Sequence, residues 1–352
     1  WLTVPALIGP MIGPPLGGFI TTYATWHWIF LINLPIGALG IWLAGRFLPD
    51  TERIADHPID MTGFVLSGVA ASGVVFGLSV VSLPALPPII GVATIAAGIV
   101  SGVLYLAHAR RAAHPLLDPA LFRTAVFRQS IIAGSVFRIG IGAVPFLLPL
   151  MFQIGFGLTP FQSGMMTFVS AIGALTMKFA ARRIYAAVGF RTVLLVAAVV
   201  GAGFIALNGF FTPSTLPWVI LSILFVSGFV RSIFFTGITA LAFAEIDEVE
   251  ASQATAISSV VQQISIALGV AVAGGILEAS TAFRGEELGL ADFHIAFFIV
   301  AAVSSLAALP VLVLARDAGS GVSGHRGRTI QLATAASLPI EPPLEPAPHP
   351  GE

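Results

Sequence analysis

Ten apolar runs, each about as long as a bilayer core is thick, constrain this chain more than any other feature. They lie near residues 2–22, 28–47, 61–82, 88–108, 130–153, 162–181, 192–212, 218–242, 256–277 and 294–315. A hydrocarbon core of roughly 30 Å needs about 20 mostly apolar residues per helical span, because a helix rises about 1.5 Å per residue. Hydrocarbon offers no water to backbone N–H and C=O groups, so such runs fold as helices. They are too long, and alternate too little, to be strands of a β-barrel. The expected fold class is therefore an all-α polytopic membrane protein.

Composition removes the competing classes. Hydrophobic residues make up 57% of the 352, and charged residues 9%. An ordinary soluble domain has roughly 45–50% and about 25%. So few charges cannot cover the surface of a soluble enzyme or a DNA-binding domain. The net charge of −1 gives no electrostatic reason for a nucleic-acid partner. Cysteine is absent, which excludes disulfides, thiolate metal sites and cysteine nucleophiles. No GxxxxGK[ST] loop is present, so ATP is not the expected direct energy source. His, Asp, Glu and Ser do not gather at one depth, as the site of a membrane-embedded enzyme would require.

The Lys and Arg residues orient the spans. One side collects Arg46, Arg53, Arg110, Arg111, Arg123, Arg128, Lys178, Arg182, Arg183, Arg191, Arg316, Arg326 and Arg328. The other side holds only Arg284, while Arg138 and Arg231 fall within spans. The positive-inside rule makes the first side cytoplasmic, and with it both ends of this chain. The longest cytoplasmic connection is 109–129. Beyond 317 the chain turns rich in Gly and Ser, then Pro, and reads as a disordered tail. Trp1 opens directly into an apolar run, so the natural N-terminus is expected upstream.

The first span carries the most specific motif, Gly9-Pro10-Met11-Ile12-Gly13-Pro14-Pro15-Leu16-Gly17-Gly18. Gly9, Gly13 and Gly17 recur every four residues and make a smooth face for close helix contact. Pro10 and Pro14 each remove a backbone donor and bend the helix. Next comes Trp26-His27-Trp28-Ile29-Phe30-Leu31-Ile32-Asn33-Leu34-Pro35-Ile36-Gly37, whose Asn33 and Pro35 mark a polar, bent turn inside the second span.

These stretches resemble the antiporter signature and following helix of the fourteen-helix drug:proton antiporters of the major facilitator superfamily. His27 stands where that family usually has Arg. Gly155-Phe156-Gly157-Leu158-Thr159-Pro160, with Ser163-Gly164, resembles the family's outer loop between helices nine and ten. Gln262-Gln263 and Leu268-Gly269-Val270-Ala271-Val272 resemble its thirteenth helix. The family's basic loop is only partly kept at Arg182–Arg191, where Ala186 stands in the place of the usual acid.

The resemblance implies a major facilitator fold, with the ten spans as family helices five to fourteen. It divides the chain into 1–47 (the last two helices of the N-terminal half), 48–108 (two extra central helices and the loop before them) and 109–129 (a linker). The six-helix C-terminal half follows at 130–316, and the tail at 317–352. It further implies proton-coupled efflux of hydrophobic or amphipathic molecules from a bacterial inner membrane, with no bound cofactor and the proton gradient as energy source. Partners on this reading are the lipid bilayer, a small-molecule substrate and protons, with room for an outer-envelope export partner. A truncated remnant that does not transport, or a carrier of another small-molecule class, remains open at this point.

Candidate transport residues follow from cost. An ionisable group deep in a span is expensive and is read first as functional, with a lock between helices, or snorkelling for Arg138, as the alternative. Arg231 falls near mid-membrane, and Arg138 lies ten residues beyond Arg128. No Asp or Glu occupies the middle of a span, so each Arg needs water, carbonyl groups or an acid from elsewhere. Thr255, Ser258, Gln262, Ser265 and Gly269 repeat at three and four residues and form one polar face. Ser258, Gln262 and Ser265 join the two arginines as candidates for cavity lining or coupling.

Overall fold

A computed structural model describes residues 3–47, 60–82, 86–113, 115–247, 250–315 and 318–323. Among these residues the chain is helical and holds no strand. The helices are α1 Thr3–Tyr23, α2 His27–Leu31, α3 Asn33–Phe47, α4 Met61–Ser82, α5 Pro88–Ala109 and α6 Ala125–Leu150. They continue as α7 Pro160–Val188, α8 Phe190–Asn208, α9 Pro217–Ala242, α10 Ala251–Arg284, α11 Leu290–Ser305, α12 Ala308–Val313 and the short turn α13 Ser320–Ser323. Nine helical stretches among the described residues are long and apolar enough to cross a membrane. They coincide with nine of the ten expected spans, and the remaining run is the 21-residue α1. The acidic segment at 248–249 and the tail from 324 lie outside the described residues.

Local breaks fall where the sequence removes backbone donors. The second span is interrupted at Ile32, between α2 and α3. There Asn33 Nδ2 donates to the Ile29 carbonyl at 3.2 Å, and Pro35 supplies no N–H. Helix α6 contains Pro145 and Pro149 and ends in a π turn at Met151–Gly155. The Pro149 carbonyl, at the helix's loosened end, accepts from Gln153 Nε2 at 3.1 Å and from Ser163 Oγ at 3.4 Å. The α6 helix begins at Ala125, ahead of the expected 130. Arg128 N–H donates to the Thr124 carbonyl, which extends the ladder into what reads as loop.

Helices α6 to α12 form the packed unit. Helix α7 lies on α9, α10 on α6, and α11 on both α6 and α8. One apolar cluster gathers Phe137, Tyr185, Phe190, Leu194, Phe234 and Leu241. A second gathers Met151, Phe152, Phe211, Leu224, Phe293 and Phe297. A third docks Leu121 of the 109–129 linker against Phe127, Ile131, Ala254 and Ile257. The exterior is apolar as well, with Phe179 82%, Ile41 78% and Ile89 70% exposed. An apolar outside suits a hydrocarbon solvent and not water.

The α7–α9 crossing is the tightest. A Cβ built on Gly173 would collide with the Phe225 carbonyl, and one built on Gly228 would collide with the Ser170 carbonyl. Both obstacles are backbone, so neither can rotate away. Gly228→Ala is expected to cost about 3 kcal/mol by forcing the helices apart. The check is the thermal midpoint of the detergent-purified protein. An unchanged midpoint would mean that the helices are not in contact there.

Helices α4 and α5 pack as a hairpin, and α4 also rests on α10. The hairpin is tied to the linker at its base. Asp60, just before α4, meets His108 Nε2 at 2.8 Å and accepts from Gly63 N–H at 2.8 Å. The Gly63 N–H above all, then His108 and Leu116 N–H, hold the Asp60 carboxyl below the usual carboxylate range.

A candidate substrate cavity with a cationic wall

The signature helix docks by a different face from the one its spacing suggests. Gly13 and Gly17 have open space where a Cβ would stand. Contact runs through the adjacent face, against α7. A Cβ on Gly18 would lie 2.5 Å from the Pro160 carbonyl, and one on Gly164 would collide with the Pro14 carbonyl. Phe161 adds ring contacts at 6.1 Å to both Phe19 and Tyr23. The two stretches Gly9–Gly18 and Gly155–Gly164, read separately in the sequence, therefore meet in space. Gly9 and Pro10 lie within α1, and only their helical backbone is described.

A cavity of about 990 Å³ opens between α6, α7, α9 and α10. Volumes of roughly 300–1,000 Å³ are typical of small-molecule sites. Arg138 of α6, Arg231 of α9 and Gln262 of α10 line it. Apolar walls come from Ile141, Phe146, Phe235 and Ile266. The Arg138 guanidinium stands 4.8 Å from the Phe235 ring centre, a cation–π contact that partly replaces lost hydration. No hydrogen bond or ion pair joins Arg231 to any described residue.

Lys178 also lines this cavity. Counted by sequence with the cytoplasmic anchors, it instead lies along α7 and donates from Nζ to Thr236 Oγ1 at 2.8 Å. A lysine ten residues before a helix end looks like an interfacial anchor, so sequence alone gave no signal for this position. The lining thus holds three cations and, among the described residues, no carboxylate.

The polar face of α10 divides in two. Thr255, Ser258 and Gln262 border a smaller pocket of about 160 Å³ between α6, α9 and α10. Ser265 is 4% exposed and donates to the Val261 carbonyl at 2.7 Å within its own helix. It borders neither cavity, because the approach of α10 to α6 closes over it. At that crossing a Cβ on Gly269 would collide with the Ile139 carbonyl. Gln263, one residue past Gln262, is exposed.

Two further polar joints brace the helix ends. At the end of the bundle away from the linker, Arg284 pairs with Asp292 at 2.6 Å and Glu286 at 3.6 Å. Arg284 is therefore neutralised by its neighbours. At the opposite end, Gly189 turns α7 into α8 at φ 83°, and Arg191 Nη2 donates to the Leu312 carbonyl at 2.8 Å.

A bundle of apolar helices, broken in places and with a cavity between four of them, defines a polytopic membrane protein. The Major Facilitator Superfamily model matches residues 130–344, and the chain belongs to that superfamily. It is 34% identical over 317 residues to a protein of Pectobacterium carotovorum named multidrug resistance protein MdtD, covering 90% of this chain and 68% of that one. It is 35% identical over 272 residues to a protein of Haemophilus influenzae named transport protein HsrA, covering 77% and 58%. An Escherichia coli protein also named MdtD is 34% identical over 279 residues, covering 79% and 59%. The chain thus spans about three fifths to two thirds of the length of these relatives.

Proposed function

We propose that this chain forms the greater part of a secondary carrier that exports amphipathic small molecules in exchange for protons. The observation that carries this reading is the cavity of about 990 Å³, apolar on its walls and lined by Arg138, Lys178 and Arg231. Such a site holds an apolar body and orients a polar head. The names of the MdtD relatives support export of toxic compounds as the activity. Alternating access would expose the cavity first to one side, then to the other, with the six-helix unit rocking as a body. Proton binding to a carboxylate elsewhere in the intact protein would compete with substrate.

The test is energised efflux. Cells lacking their own exporters, expressing the complete gene product, are loaded with a fluorescent amphipathic dye. The expected result is export that stops when a protonophore collapses the gradient. Export that persists without a gradient, or none with the protein at normal levels, would sink the reading.

We also place the chain in the bacterial inner membrane with the linker end facing the cytoplasm. Because the chain has no cysteine, single cysteines report sidedness without background. A cysteine at Gly285 is expected to react with an impermeant maleimide in intact cells, and one at Glu245 only after lysis. The reverse pattern would invert the assignment.

A further inference from the structure

The smaller pocket has a chemistry that the main cavity does not share. Hydroxyls in helical spans ordinarily donate back to a carbonyl of their own helix. Ser135 donates to Ile131, Thr255 to Ala251 and Ser259 to Thr255, at 2.7–2.8 Å. Ser130 and Ser258 do not. Both hydroxyl oxygens are buried without a partner, Ser130 on α6 at 2% exposure and Ser258 on α10. Both border the pocket of about 160 Å³, together with Arg138. Ser304 is also unpartnered, but it packs against Gly140 and faces neither cavity.

Backbone spacing brings the charge to the hydroxyls. Ser130, Gly134 and Arg138 stand at four-residue intervals on one face of α6. A Cβ on Gly134 would lie 2.9 Å from Arg138 Nη1. The guanidinium thus folds back over the bare glycine, toward Ser130. Arg138, Thr239 and Gln262 border both cavities, so the pocket is an annex of the larger one. Two idle hydroxyl donors and a guanidinium, with no carboxylate among the described lining residues, make a receptor for an anion with several acceptor sites.

We propose that this annex binds the carboxylate head of the transported substrate while its apolar body lies in the main cavity. The inference rests on the efflux reading above and narrows it to anionic amphiphiles. Arg138 then supplies the charge, and Ser130 and Ser258 donate to the same head group. Water alone would need no guanidinium, although a pocket of this size can hold several molecules.

The test uses the chain purified into lipid nanodiscs and calorimetric titration with two probes of one shape, para-pentylbenzoate and para-pentylbenzamide. The expected result is binding of the benzoate at least about tenfold tighter than the benzamide, the scale of charge-assisted hydrogen bonds. In the double variant Ser130→Ala, Ser258→Ala the preference is expected to fall to about threefold or less. Binding of the benzamide, whose neutral carbonyl gains less from the same donors, should fall by less than that of the benzoate. Gly134→Ala should act likewise, because its methyl displaces the guanidinium while leaving the charge on the helix. Equal binding of the two probes, or a preference that survives the double variant, overturns the annex and leaves the efflux reading standing. Binding of neither probe likewise overturns the annex, while the efflux reading stands or falls on the dye export described above.

Discussion

Arg231→Ala is expected to cut efflux by about tenfold to a hundredfold and, at the same time, to make the protein more stable. The two effects have one cause. Arg231 lines the cavity without an ion pair or hydrogen bond to any described residue. An unpaired charge in a largely apolar setting is costly. Removing it relieves that cost, so thermal stability should rise by about 1 kcal/mol or more. A side chain that destabilises the resting protein is retained for what it does with a ligand or a proton. Losing its charge-assisted bonds should reduce transport by about tenfold to a hundredfold. Arg231→Lys keeps the charge but not the planar fork and should retain part of the activity. Dye efflux and a thermal unfolding curve on the same variants check both halves. Full efflux, or a fall in stability, would mean that Arg231 is a strut between helices.

Asp292→Ala is expected to do the reverse, with a large loss of stability. Asp292 is fully buried where α10 turns into α11. It accepts from Arg284 Nη2 at 2.6 Å, from Gly289 N–H at 2.8 Å and from Ser280 Oγ. Its charge also suits the positive end of α11. Truncation leaves a guanidinium, an N–H and a hydroxyl without their acceptor, which costs about 3–5 kcal/mol. Arg284→Ala alone should be nearly as harmful, because it leaves the buried carboxylate without its cation. The double variant should recover part of the loss, as buried charge pairs often do when removed together. Thermal inactivation of the solubilised protein measures all three. A change below about 1 kcal/mol in Asp292→Ala would show that water replaces the carboxylate.

Much of the fold was legible because spans are read from length and hydropathy, and both are properties of sequence. The run read at 61–82 is α4, and the run at 88–108 is α5. The errors came where a helix outlasts its apolar stretch. Helix α10 runs on to Arg284 because the Asp292 joint holds its polar last turns. At the cavity, Arg138 and Arg231 were legible as charges within spans, although a lock between helices or snorkelling would place a charge there too. Lys178 was hidden, since position along a helix does not reveal which neighbour the side chain meets. The Gly18 contact was hidden for a related reason. Four-residue spacing identifies a smooth face on α1, but α7 chooses the face. Ser130 was the least legible of all, and Ser258 was legible only as one member of the polar face on α10. Whether a helical hydroxyl is satisfied by its own backbone depends on tertiary surroundings that no local pattern encodes.

The glycine crossing of α7 and α9 has a consequence for selectivity. Gly228 locks against α7 less than one turn before Arg231, and Lys178 is bonded to Thr236 of the same partner helix. Two of the three cavity cations are thus fixed on a single plate whose halves cannot slide without breaking backbone contact. In the proposed alternating-access cycle, rocking would open that plate to each side of the membrane in turn with its charge spacing intact. A molecule arriving from either side would meet the same pair of positive charges. On that proposal, what differs between the two faces is the shape of the way in, and not the ruler by which the cargo is measured.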